Sequence, residues 1–179
     1  MGKFSNIGKV SVSKSGQYFT AGNYQVRIKA VKIVPSQAGG NKEYFVIETE
    51  VLDSDNPQIK PGSERSHVID MTNVMSMPNI KAFVAAVSGV DPSSGAINEE
   101  VEEYWQKWGL EQGIVEEGEE VTFERVCDLI VDSVNILEGT VMDLECTDVI
   151  TKKEREAAKA AGRDPKADFT KHNWIPRDL

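Results

Sequence analysis

Cysteine is scarce in this chain: Cys127 and Cys146 stand alone, with no CxxC and no histidine beside them. That spacing supplies neither a paired-cysteine metal site nor a disulfide framework, and it reads as two reduced, buried thiols of a cytosolic protein. No run of 18 apolar residues is present, so no transmembrane helix is expected. The N-terminus has no apolar stretch of the kind a secretory signal needs. GxxxxGK[ST], GxSxG and HExxH are all missing. Of the two histidines, His67 falls on a strand with no nucleophile or carboxylate constellation aimed at it, so it reads as structural or surface. These absences point away from an enzyme. The remaining catalytic option is a carboxylate metal site of the nuclease type, for which Glu48, Glu50 and Asp70 lie on strands. Strand-surface acids are ordinarily solvated, and the expectation is no catalytic residue, no metal and no cofactor.

Acidic residues are also absent from the first 42 positions, which carry seven Lys or Arg. Residues 43–150 hold five bases against 24 acids, and residues 151–179 hold eight against five. The overall charge of -9 therefore hides a basic start, an acidic middle and a mildly basic end. If the two ends fold together, the surface is polarised and attracts a polyanion despite its negative total.

At 179 residues and 40% hydrophobic content the chain suits one domain with appendages. Residues 1–20 read as a flexible basic arm rich in Ser, Gly and Lys, in which Lys9 to Ser13 alternates like a short edge strand. From Asn23 to Val34, polar Gln25, Arg27 and Lys29 alternate with apolar Tyr24, Val26, Ile28 and Ala30. Period-two alternation marks a strand with one wet face. The apolar phase slips at Ala30-Val31, as a bulge would make it do. A turn-rich loop, Pro35 to Lys42, leads to a second strand from Glu43 to Leu52, and a third runs from Glu64 to Met71.

Helices follow. Ser76 to Gly89 has a capping serine, a proline in its first turn and a closing glycine. Ile80, Phe83, Val84 and Val87 form its core stripe. A second helix starts near Asn98 with Val101, Tyr104, Trp105 and Trp108 on one face, which places the two tryptophans in the core. A third spans about Thr122 to Ser133. Val141 to Ile150 is a fourth strand. Thr151 and Glu154 form a capping box for a short helix to about Ala161, and Phe169 to Pro176 is the fifth strand. Strand-strand-strand, helices, strand-strand is the order of an OB-fold: mainly β with an α insert, a five-stranded barrel with helices between strands 3 and 4. Residues 21–176 form the domain, 76–134 its acidic helical insert, and 177–179 a short tail.

Three phrases resemble a family. They are Gly22 to Ile28 followed by Tyr44 to Leu52; Asn79-Ile80-Lys81-Ala82-Phe83; and Leu137 to Val141 leading through Thr151-Lys152 to Phe169-Thr170-Lys171-His172-Asn173-Trp174. Together they resemble small OB-fold single-stranded-DNA-binding proteins encoded by tailed bacteriophages. The resemblance implies sequence-tolerant binding of single-stranded DNA in the cytoplasm of an infected bacterial host. It also implies phage replication or recombination proteins as further partners and no membrane, and it is compatible with a homodimer. Two features differ from that group: the ending from Trp174 to Leu179 has one acid rather than an acidic tail, and the insert is long and acidic.

Such binding needs cations along a groove and flat rings for the bases, each stacked base contributing about 1–3 kcal/mol. The candidate cations are Arg27, Lys29, Lys32, Lys42 and Arg65, with Lys152, Lys153, Arg163, Lys166 and Lys171 from the second loop and last strand. The candidate rings are Trp174 and one of Tyr44 and Phe45. Neighbours on a strand face opposite ways, and Tyr44, whose hydroxyl tolerates water, is the one expected outward. Phe169 and Tyr24 are expected in the core. The competing reading is a protein-interaction module that recruits or inhibits a replication, recombination or host protein through the Glu-rich run 99–124.

Overall fold

The computed structural model describes residues 18–38 and 40–176. Five strands and four helices follow in the expected order: β1 (Gly22–Pro35), β2 (Glu43–Ser54), β3 (Glu64–Asp70), α1 (Ser76–Val87), α2 (Ile97–Gln112), α3 (Phe123–Val131), β4 (Val141–Val149), α4 (Lys152–Ala160) and β5 (Phe169–Ile175). All strand pairs are antiparallel, and the sheet runs β3-β2-β1-β4-β5.

The phase slip in β1 is a bulge. Ile28 pairs with Thr49 and Ala30 with Glu48, so Lys29 is the extra residue. Before the bulge Tyr24, Val26 and Ile28 are buried; after it Val31 is. A second irregularity between Gln25 and Val26 adds to the bend. Bulges increase local twist, and the sheet curls until its two edges approach each other. They meet through side chains: Trp174 Nε1 on β5 donates to His67 Nδ1 on β3 at 3.2 Å, and the His67 and His172 rings stack with centroids 3.8 Å apart. Among the described residues no main-chain pair joins β3 to β5. The expected mainly-β, five-stranded antiparallel sheet is present, and among the described residues main-chain pairing does not close it into the expected barrel: the β3–β5 seam is made of rings.

The core lies inside the curl. Val26, Ile28, Ile47 and Leu144 of the sheet pack with Phe83 and Val84 of α1, Val101 and Trp105 of α2, and Val126 and Ile130 of α3. Helix α1 packs on β3 and β5, and α3 packs on β1. Trp105 is buried as expected, its Nε1 donating to Ser88 Oγ at 2.8 Å. Gly89, with φ 71°, closes α1 through hydrogen bonds from Val90 N to Ala85 O and from Gly89 N to Ala86 O, the Schellman arrangement. Ser76 does not cap α1: it is the first helical residue, and its hydroxyl donates to Met71 O. The folded part reaches back into the expected arm, because Phe19 is buried against Tyr24 and His172. Lys9 to Ser13 and residues 177–179 lie outside the described residues.

Candidate nucleic-acid interface

The outer side of β1 and β2 carries Arg27, Lys29 and Lys32, where alternation puts them. The same alternation brings acids onto that side from the neighbouring strands. Arg27 pairs with Glu50 at 3.0 Å, Lys32 with Glu48 at 2.8 Å, Lys42 with Asp70 at 2.6 Å, and Lys29 with Glu64. The Lys42 hydrogen bond is the largest cause holding the Asp70 carboxyl below its ordinary range. Exposed pairs of this kind contribute at most about 1 kcal/mol, so a phosphate can replace a carboxylate at little cost. The face nevertheless presents no net excess of positive charge. Beside the start of β1 it turns acidic: a cleft of about 270 Å³ there is lined by Asp53, Asp55, Asp143 and Glu145.

Two candidate residues are corrected. Arg65 lies opposite Thr49, which is buried, and shares a side of β3 with His67 and Ile69. It therefore points to the inner side, with Nη1 bonded to Glu64 O at 2.7 Å and Nε buried without a partner. Trp174 lies opposite Leu144, which fixes it inward. It is 4% exposed, edge-on to Phe83, and offers no face to a base. The ring that β5 does expose is Phe169, 54% accessible, the residue expected in the core. Tyr44 stands half-buried on the outer side with the Lys42 ammonium 5.4 Å from its ring centroid, and Phe45 is buried.

The loop between β4 and β5 behaves differently from the sheet face. Thr151 Oγ1 accepts from Glu154 N at 3.2 Å and starts α4. The return half of the capping box is not made: Asp168 Oδ2 accepts from Thr151 N at 2.8 Å, while Glu154 binds Arg163 Nη1 at 2.6 Å and Nη2 at 3.3 Å. That bond is the largest cause holding the Glu154 carboxyl low. Lys152 is 3.8 Å from Glu156. Among the described residues Lys153, Arg155, Lys159, Lys166 and Lys171 enter no ion pair, and all five are exposed. Arg155 and Lys159 were missing from the sequence-derived set, although their place in the same Lys/Arg-rich helix was a readable signal. Lys171 and Phe169 sit two residues apart on β5, both exposed and so on one side of the strand.

Among the described residues no group of three His, Cys, Asp or Glu is placed to hold a metal ion. Burial pushes the Cys127 thiol up to about 11 and the Cys146 thiol up to about 12. No described helix is long and apolar enough to cross a membrane. The chain matched no protein-family model, and no curated protein matched it.

Proposed function

We propose that the protein binds single-stranded nucleic acid, DNA in the first instance, without reading its sequence, and that its sheet is an opened OB-type barrel. The reading rests chiefly on the β4–β5 loop, where Lys153, Arg155, Lys159 and Lys166 are exposed and enter no ion pair among the described residues, and on the strand after it, which sets Phe169 beside a fifth such cation, Lys171. Unpaired cations supply the phosphate attraction and an exposed ring supplies a sequence-tolerant stacking surface. The strand order is the one an OB-fold has when its last pair is left unmade. Lys32, Lys42 and Tyr44 extend the surface once the backbone phosphates displace their carboxylates.

The test is a fluorescence titration with oligo-dT. Lys153→Glu combined with Lys171→Glu is expected to weaken binding at least tenfold. Lys29→Glu combined with Lys32→Glu should have a smaller effect, because those cations are already neutralised. The reverse ranking would move the site to the sheet face, and equal affinity in all three proteins would end the nucleic-acid reading.

One observation favours the protein-interaction reading. No acid between residues 99 and 124 enters an ion pair among the described residues. A pull-down that recovers a basic protein partner, with no shift of DNA in a gel, would decide for it.

A further inference from the structure

The outer side of the sheet changes character along β5. Residues directly opposite each other in an antiparallel pair share a side. Phe169 stands opposite Val149 and Lys171 opposite Thr147, so the first two rows offer a ring and a cation and hold no acid. In the next row Asn173 lies opposite Glu145, and Glu145 opposite Asn23. The row after that runs Ile175, Asp143, Gln25 and Asp53. Asp55 completes the band, its carboxylate accepting from Asn23 N and Nδ2, each at 2.7 Å. Among the described residues Asp53, Asp55 and Glu145 enter no ion pair. At roughly 3.3 Å per residue, the Asn173 row lies about 7 Å and the Ile175 row about 13 Å beyond Lys171 along the strand.

This boundary asks different things of one strand and of two. A single strand bends at each nucleotide, so after Lys171 it is free to turn away from the sheet. Duplex DNA stays straight over about 500 Å. It sets one negative charge per roughly 1.7 Å of its axis, hence about eight over 13 Å. Laid along β5, it carries those charges over the carboxylates. Laid across β5 with one backbone on Lys171, it has its second backbone on either side, across grooves about 6 and 12 Å wide. One of those sides is again the acidic rows.

Resting on the nucleic-acid reading above, we infer that the band of Asp53, Asp55, Asp143 and Glu145 rejects duplex DNA and ends the single-strand track at Lys171. Discrimination between two partners comes as much from charges set against the wrong one as from contacts to the right one. The cations and Phe169 attract either form; the band removes one of them. The track left to a single strand is α4 and the first half of β5. Binding should therefore level off at about four to six nucleotides, the low end of the range of about 4–16 for sites of this kind.

The test compares dye-labelled oligo-dT of six nucleotides with a short blunt-ended duplex, by anisotropy on the whole protein. The native protein should bind the duplex at least tenfold more weakly. Asp53→Asn, Asp143→Asn and Glu145→Gln together should tighten duplex binding about tenfold and change oligo-dT binding less than threefold. Glu99→Gln, Glu103→Gln and Glu111→Gln on α2 change the net charge equally and should leave the ratio of the two affinities as it is. A ratio unmoved by the first variant, or moved as far by the second, would overturn the proposal and leave the nucleic-acid reading standing. So would a native protein that holds the duplex as tightly as oligo-dT. No binding of oligo-dT by the native protein would remove the reading itself, and the band's role with it. If the first variant does not fold, a length series on the native protein decides: affinity still rising beyond about ten nucleotides would show that the strand crosses the band.

Discussion

His67 and His172 are two imidazoles that the fold keeps uncharged. Burial holds His172 down to about 4, and burial together with the neighbouring His172 holds His67 well below its usual value. In the unfolded chain both take a proton near pH 6.5. As pH falls from about 6.5 towards 4, the unfolded state binds protons that the native state refuses, so stability falls across that window. It stops falling on account of His172 once the native imidazole is itself protonated. The loss from His172 alone is up to about 3 kcal/mol. The carboxyls of Asp55, Asp70, Asp91 and Glu154 act elsewhere on the scale. Their native values are lowered, so the stability they provide is lost only as pH falls below the ordinary carboxylate range. Urea midpoints measured from pH 7 to pH 4 are expected to fall steadily, and His172→Phe should flatten the curve. An unchanged slope in that variant would remove His172 from the account. The same scale explains the exchange of roles between Trp174 and Phe169. The segment Phe169 to Ile175 carries large apolar groups on both parities, so alternation could not say which faced inward. The register with β4, Trp174 opposite Leu144 and Phe169 opposite Val149, decides it.

At the scale of elements, most of the architecture could be read because local signals agreed with one another. Alternation gave β1 and β2, the phase slip gave the bulge, a capping threonine and a following glycine bounded α4, and a closing glycine ended α1. The carboxylate partners of Arg27 and Lys32 were also legible in principle, since β2 carries Glu48 and Glu50 on its polar parity. Their meaning lies in the cross-strand register, which the alternation of a single strand does not contain. Gly109 shows a constraint that no propensity reveals. It lies within α2, where alanine would ordinarily gain about 1 kcal/mol. Its carbonyl accepts from Ile114 N and Val115 N as the chain folds back. A Cβ there would stand 2.5 Å from Val115 Cγ2, and Val115 is buried. Overpacking of this kind costs about 1–3 kcal/mol. Gly109→Ala is therefore expected to lower the denaturation midpoint, against its helix propensity. A raised midpoint would show that Val115 can move aside.

For the whole molecule, the charge split matters more than the total. Among the described residues, the -9 chain gathers four exposed cations without an ion pair in the β4–β5 loop and a fifth, Lys171, on the strand after it; Lys60, Lys107 and Arg125 stand exposed elsewhere, the sheet face is internally balanced and the start of β1 is acidic. Few phosphates can then be engaged at once. With about four contacts, single-strand affinity should fall roughly 50-fold between about 50 and 200 mM salt. A salt titration with oligo-dT measures this directly; a flat response would count against phosphate contacts, and a much steeper one would mean that the paired lysines of the sheet take part. The distribution of charge among folded neighbours was not visible in the linear count, because the first basic stretch and the acidic middle become adjacent strands.

The ring-to-ring join of His67, His172 and Trp174 gives the molecule a zip with very few teeth. Ladders of main-chain bonds hold β1 to β2 along almost their whole length, whereas among the described residues β3 and β5 are joined by ring stacking, one indole bond and the packing of α1 on both. On gentle warming this join yields first, and water reaches the indole of Trp174 while the long hairpin is still intact. With Trp105 and Trp108 replaced by phenylalanine, the remaining emission should shift to the red several degrees before the strand signal in circular dichroism disappears; simultaneous loss of the two would mean that the join is as strong as the ladder beside it.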